Sequence, residues 1–439
     1  MNGWLYFISV AAALAALVVL LTLLLGGKAP TGGTFVLFSP LWIAVAAPLW
    51  ALAVLQRGAE QLWELLRSPR IRCPHPDCFR PVRTVGRACP RCHRVHLPLY
   101  PELFEPLWQH CPCGGRLPTT ALLGRNRLVA YCPHCVRRLP QSATTVPAVH
   151  VAFVGGTSAG KTMLMAAMVA GLESWAGEHE LTVSPASPVD GSRTEALRQQ
   201  LAAGSSVQAT TDAQPRAVML VVGRGRRRRL LHLYDPMGAA LEDAASVREQ
   251  RYLAHADGVV LVTDVLADPE VRASLDRSDA DRALAAAPAL QGPVQTFERL
   301  TGELSGLSGG RRRIPVAVVV TKRDMLRQLG SLPTPGDRTE DWLVAAGLGG
   351  LVRGLEYDFE AARYWTVSAR DAGGATGRAV GAGVGARGGA GAGAATTTAP
   401  PEAEQRHAAV PLLWLLSRSG LGTAELTNQQ NDYWAGWMT

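Results

Sequence analysis

Hydrophobic and polar positions divide the chain into regimes of different character. Before any charge appears, Trp4 to Leu25 is apolar almost without interruption, and Lys28 is the first charged side chain. A second apolar run covers about Thr34 to Leu55 and ends at Gln56-Arg57, with Pro40 and Pro48 inside it. Each run is long enough to cross the hydrocarbon core as a helix, and proline is tolerated in such helices. The pattern predicts a transmembrane hairpin with spans over about 4–25 and 34–55, joined by GGKAPTGG. A cleaved signal peptide fits less well, because the first run lacks a basic start and a second apolar run follows at once. Arg57, Arg67, Arg70 and Arg72 cluster after the second run, whereas the connecting loop has only Lys28. By the positive-inside rule both ends face the cytoplasm, with residues 58–72 as a basic juxtamembrane linker.

From about residue 148 the pattern changes to short continuous apolar runs separated by longer mixed stretches. Such runs are what parallel strands buried on both faces look like. Strands are expected at the run opening with Val151, at Ala217 to Val222, Leu230 to Tyr234, Gly258 to Thr263, Pro315 to Val320 and Tyr364 to Val367. Helices are expected from Met163 to about Trp175, within Pro269 to Leu307, and from about Pro401 to Leu416. The expected fold class is therefore α/β, a mostly parallel sheet with helices on both faces, over residues 148–417. Ser184 to Pro215 is polar and rich in Ser and Thr, and GRGRRRR reads as the solvated tip of a hairpin. Gly373 to Thr398 is nearly all Gly, Ala and Thr, a flexible insertion with little to bury. Residues 418–439 form a tail carrying Tyr433, Trp434 and Trp437.

Composition alters this picture little. Hydrophobic residues make up 47% of 439, enough for a sizeable core. The net charge of +8 raises nucleic acid as a partner, but the excess sits in short runs, Arg226 to Arg229 and Arg311 to Arg313. That distribution argues against a nucleic-acid face.

All eight cysteines lie between Cys73 and Cys135, in four close pairs: CPHPDC, CPRC, CPC and CPHC. Zinc takes four tetrahedral thiolate or imidazole ligands, and paired cysteines on tight knuckles meet that demand. Two four-cysteine zinc ribbons are expected over 73–140. Taken in chain order, Cys73, Cys78, Cys89 and Cys92 hold one ion and Cys111, Cys113, Cys132 and Cys135 the other, although interleaved pairing satisfies the same spacing. Disulfides suit a reducing cytoplasm poorly. With four cysteines per site, His75, His93, His96, His110 and His134 are expected to be idle.

The most specific chemistry lies in VAFVGGTSAGKT, Val151 to Thr162. A strand, a glycine-rich turn and a helix opening at Lys161-Thr162 form the P-loop pattern. Backbone N–H groups of Gly155, Gly156, Thr157, Ser158, Ala159 and Gly160 face phosphates, Lys161 reaches the terminal oxygens and Thr162 offers a hydroxyl to magnesium. Asp235 ends the strand Leu230 to Tyr234 and is followed three residues later by Gly238. An acid there holds magnesium through water, and the glycine N–H meets a γ-phosphate. Asp264 ends another strand. Thr321-Lys322-Arg323-Asp324 follows Pro315 to Val320; the Asp324 carboxylate can accept from guanine N1 and N2 while the Lys322 stem covers the ring. Adenine leaves such an acid mismatched. Ser368-Ala369 ends the last strand, where the Ala369 N–H can meet guanine O6.

This order of motifs, each at the end of an apolar strand, resembles the GTPases of the translation-factor and Ras superclass over about Ala148 to Ser417. Within it the chain looks most like the bacterial double-GTPase-related proteins, some of which join membrane segments and zinc ribbons to the GTPase domain and serve in signalling or conflict systems. The resemblance implies GTP or GDP with Mg2+ as ligands, Thr210 or Thr211 as the switch threonine, catalytic roles for Lys161, Thr162, Asp235 and Gly238, and a protein partner or regulator. One departure matters. Many members have glutamine after the D-x-x-G glycine, and this chain has Ala239, which cannot orient a water. Arg224, His232 or a partner could replace it. The readings are a membrane-tethered GTPase switch, a non-hydrolysing GTP-binding scaffold, and an ATP-dependent enzyme or transporter component, against which T-K-R-D counts.

Overall fold

The computed structural model describes residues 72–75, 78, 80–82, 84–97, 99, 107–177, 179–203, 217–235, 253, 255–308, 314–336, 338–372 and 401–428, with scattered positions between 51 and 62. The span over 4–25, nearly all of that over 34–55, Thr210, Thr211, Gly238, Ala239, Arg311 to Arg313, the insertion 373–398 and the tail aromatics lie outside these residues. Among the described residues no helix is long and apolar enough to cross a membrane. The chain divides into two compact units, one built mainly from residues before 148 and one from Ala148 onward.

The first unit is small and strand-poor. Strands β1 (Gly86–Ala88), β2 (Val95–His96), β3 (Trp108–His110), β4 (Arg116–Pro118), β5 (Ala130–Tyr131) and β6 (Arg138–Leu139) are two or three residues long. They form a four-stranded sheet in the order β2-β1-β5-β6 and a separate β3-β4 pair. Its apolar cluster comprises Leu99, Leu117, Cys89 and Cys111. A cluster this small among the described residues is of the kind that a metal staple commonly supports.

The second unit is a three-layer α/β sandwich. Its strands are β7 (Ala148–Gly155), β8 (Leu181–Pro185), β9 (Val218–Arg224), β10 (Arg227–Tyr234), β11 (Gly258–Thr263), β12 (Pro315–Val320) and β13 (Ala361–Thr366). They make one sheet in the order β13-β12-β11-β7-β10-β9-β8. The five strands from β13 to β10 in this order run parallel, and β9 and β8 add antiparallel pairs at one edge. Helices α1 (Lys161–Ala176), α2 (Pro188–Ala203) and α6 (Pro401–Arg418) cover one face. Helices α4 (Pro293–Ser308) and α5 (Gly349–Asp358) cover the other, with α3 (Arg277–Ala285) beside them. Strand alternation assigns the faces: Val149, Val151 and Phe153 of β7 meet α1 and α6, while Ala152 and Val154 meet the opposite layer.

Two stretches differ from their sequence expectation. The polar stretch from Ser184 contains α2, whose buried strip is only Asp190, Thr194, Leu197 and Leu201. With two of those four polar, the helix leaves almost no hydrophobic period in the sequence. The arginine tip is not wholly solvated. Arg226 and Arg228 are exposed, but Arg227 donates to the Gly420 carbonyl at 3.1 Å and Arg229 to the Ser419 carbonyl at 2.7 Å. These carbonyls lie just past the end of α6, where cations complement the helix dipole.

Two buried imidazoles couple this unit to pH. His232 of β10 faces His150 of β7 with ring centroids 4.7 Å apart, and burial together with His150 holds its imidazole well below the ordinary range. Burial and the Arg323 guanidinium do the same for His407 of α6. The folded chain binds fewer protons here than the unfolded chain, so stability is full above the ordinary value of 6.5 and falls as pH drops below it. The expected slope is up to about 1.4 kcal/mol per histidine per pH unit. Urea unfolding followed across this range checks it: a His232→Asn variant should show the shallower dependence, and parallel curves would exclude His232 as a source.

Candidate nucleotide-binding site

β7 runs straight into the phosphate loop at the carboxyl edge of the parallel strands, where open α/β sheets bind ligands. Gly160 has φ +87° and caps α1, a conformation that suits glycine, and the Leu164 N–H donates to its carbonyl at 2.8 Å. Ser158 also has positive φ, at +68°, so strain is concentrated in the turn itself. A Cβ on Gly156 would lie 2.8 Å from the Gln291 carbonyl oxygen, so another chain segment presses against the loop there.

Lys161 is buried and its ammonium donates to the Gly155 and Gly156 carbonyls, both at 2.9 Å. Burial pushes that ammonium down, while Asp235 pulls it back. The Thr162 hydroxyl donates to Asp235 Oδ2 at 2.6 Å. Burial raises the Asp235 carboxyl against the opposing pull of Thr162 and Lys161. Residues 73 positions apart thus bring a hydroxyl and a carboxylate oxygen together beside an ammonium. Hard oxygen donors of this kind suit magnesium, so the residues present fit that ion.

The T-K-R-D loop is tied to the phosphate loop directly. Thr321 donates its hydroxyl to the Ala159 carbonyl at 2.9 Å and its N–H to the Thr263 carbonyl at 3.0 Å. Lys322 takes a left-handed conformation, φ +60°, and its ammonium bonds Asp264 Oδ2 and the Ala287 carbonyl, each at 2.7 Å. Ser368 and Ala369 follow β13, whose neighbour is the strand leading into Thr321, and the Val367 N–H donates to the Val320 carbonyl at 2.8 Å. Asp324 lies in the short helix Arg323–Leu326, in the turn after Lys322.

Sequence reasoning missed a strap over residues 286–292, between α3 and α4. Its Ala289 N–H donates to Asp264 at 2.8 Å, its Leu290 N–H to the Thr157 carbonyl at 3.1 Å, and Gln291 Oε1 accepts from the Thr157 N–H at 3.1 Å. Asp264, noted in the sequence only as a strand-end acid, is the hub joining Lys322 to this strap. Pro288 and the Gly292-Pro293 step were the available signals that the helical region breaks here.

Neither substitute considered for the missing glutamine sits with these groups. Arg224 bonds Glu425 at 3.3 Å and the Gly422 carbonyl. Alternation along β10 puts His232 and Tyr234 on the sheet face opposite Asp235, Leu231 and Leu233, away from Thr162 and α1.

The cysteines group differently from their chain order. Cys73, Cys78, Cys132 and Cys135 form one cluster and Cys89, Cys92, Cys111 and Cys113 the other, with the sulfurs of each within 4.8 Å of one another. The chain-order pairing, Cys73/Cys78 with Cys89/Cys92 and Cys111/Cys113 with Cys132/Cys135, is therefore corrected to a nested one. The reason is strand direction: β1 and β5 pair antiparallel, so the cysteines that follow them, Cys89 and Cys132, leave at opposite ends of the sheet. The stretch from Cys89 to Cys113 closes on itself as an inner ribbon. Sulfur separations of 3.6 Å for Cys73–Cys135, 3.6 Å for Cys89–Cys113 and 3.4 Å for Cys92–Cys111 exclude disulfides, whose bond is about 2 Å. They approach the edge of about 3.8 Å that a tetrahedron of 2.3 Å zinc–sulfur bonds requires. Both clusters are compatible with zinc. His96 is not idle, since its Nε2 lies 3.3 Å from Cys111 Sγ.

No curated protein matches the chain. The sequence model of the Double-GTPase 2 family matches residues 149–370, half of the chain. The matched stretch runs from the strand that opens the phosphate loop through Ala369, and the chain therefore belongs to the Double-GTPase 2 family of GTPases.

Proposed function

We propose that the chain is a membrane-tethered GTP switch, held at the cytoplasmic face by the apolar hairpin over 4–25 and 34–55 and carrying two zinc-stapled ribbons for docking a partner in a bacterial signalling or conflict system. The observation that carries the nucleotide part is the hydrogen-bonded path Asp235–Thr162 and Ala159–Thr321, which joins a phosphate loop to a T-K-x-D base loop. Lys161 neutralises phosphate charge, Thr162 and Asp235 hold magnesium, and Asp324 with Ala369 reads the base. Magnesium, when bound, offsets charge on the β and γ phosphates. Thr210 or Thr211 and the segment from Asp235 to Ala239 report which nucleotide is present.

Hydrolysis belongs to this reading with a partner supplying the group that orients water, because Ala239 cannot. The same alanine favours a second reading, a GTP-binding scaffold without turnover. Turnover measured with and without cellular partners separates the two.

The test of base recognition is binding of GTP, ATP and XTP to the full chain and to Asp324→Asn. Exchange to asparagine should weaken GTP about a hundredfold, two charge-assisted hydrogen bonds at ~1.5 kcal/mol each, and improve XTP, whose carbonyl replaces the guanine amino group. An unaltered preference among the three would remove Asp324 from the site.

A further inference from the structure

We propose that Glu404 of α6 is a positioning residue for base specificity, holding both base-reading loops through one carboxylate oxygen. The inference rests on Asp324 being the guanine acceptor. Arg323 stands between Lys322 and Asp324, and its side chain is 1% exposed. Its guanidinium pairs with the Glu404 carboxylate, also 1% exposed, and Glu404 Oε1 is the oxygen that accepts. The same Oε1 accepts from the Ser368 N–H at 3.3 Å, immediately before Ala369. One atom from a helix 81 residues beyond Arg323 therefore reaches the interior of T-K-R-D and the start of S-A.

A second contact sets the direction of α6. His407, three residues on from Glu404, lies with Nε2 3.0 Å from the Thr366 carbonyl at the end of β13. A carbonyl only accepts, so Nε2 carries the proton, consistent with the neutral imidazole that burial enforces. The backbones also meet, with the Arg323 N–H 3.4 Å from the Val367 carbonyl.

Stability alone does not call for this arrangement. An apolar pair of similar volume commonly stabilises a core as well as a buried ion pair does, whereas the ion pair fixes register and direction. Arg323 cannot leave Glu404 without stranding a charge away from water. Its backbone neighbours Lys322 and Asp324 are thereby fixed, and so is the N–H facing the base after Ser368.

The test is magnesium-dependent binding of GTP, ATP and inorganic tripolyphosphate to the full chain, to Glu404→Gln and to the double variant Arg323→Met with Glu404→Leu. The double variant removes both charges and retains the fold, checked by its melting temperature. Tripolyphosphate, which has no base, should bind all three alike. GTP affinity and the GTP:ATP ratio should fall on the order of tenfold in the double variant and by less in Glu404→Gln, which keeps an acceptor for Ser368. A GTP:ATP ratio equal to wild type in whichever variant folds overturns the proposal, as does an equal loss of tripolyphosphate, which marks general loosening. A wild-type chain that fails to distinguish GTP from ATP instead sinks the guanine reading itself, so the two failures are separable.

Discussion

Lys161→Met lowers magnesium-dependent GTP affinity about a thousandfold while leaving the melting temperature unchanged or raised. The loss follows from what the ammonium does: at 7% exposure it is a desolvated cation at the mouth of the phosphate turn, and truncating one partner of a buried charge pair costs ~4 kcal/mol. The stability result follows from what the ammonium lacks. Its hydrogen-bond partners within the chain are the two carbonyls of Gly155 and Gly156, and burial already pushes it toward its neutral form. Asp235, the one carboxylate that pulls it back, keeps the Thr162 hydroxyl as a donor when the ammonium is gone. Methionine fills the same volume without that desolvation. Isothermal titration and thermal unfolding of the same preparation measure both. Tight binding retained by the variant would refute the phosphate-loop assignment, and a large drop in melting temperature would show that Lys161 serves the fold.

The parts of this molecule that were legible in the sequence are those whose physics is local. β11 and β12 fall at Gly258–Thr263 and Pro315–Val320, as their unbroken apolar runs predict, because both faces are buried. The phosphate turn was legible because positive φ at Gly160 and the helix that follows leave few other sequences possible. α2 was not, since a helix that buries Asp190 and Thr194 carries no apolar period. The 286–292 strap was hidden for another reason. Leu290, Ala289 and Ala287 act through backbone N–H and carbonyl groups, to which residue identity is nearly silent. Glu404 was invisible because it belongs to no motif and its partner Arg323, 81 residues away, fills the variable position of T-K-x-D, which the motif leaves open.

Two double substitutions should release different amounts of zinc from the full chain, and their contrast is the sharpest test of the nested pairing. Cys78→Ser with Cys132→Ser removes two ligands from the outer cluster and should release one of two ions; Cys78→Ser with Cys92→Ser strikes both clusters and should release both. Pairing in chain order predicts the reverse. The effect is expected to be large, because structural zinc sites contribute on the order of 10 kcal/mol to small domains. Among the described residues the inner ribbon buries Leu99 and Leu117 against Cys89 and Cys111, and its strands are two or three residues long. Loss of the inner ion should therefore open the stretch from Cys89 to Leu117 to protease, a second readout alongside zinc per chain. The outer cluster draws Cys73 from one end of the cysteine region and Cys132 and Cys135 from the other, so an ion held there would close a loop of about sixty residues. Nesting one closed loop inside another makes the outer staple depend on the inner fold. Removing inner ligands should thus weaken the outer site as well, whereas removing outer ligands should leave the inner ion bound.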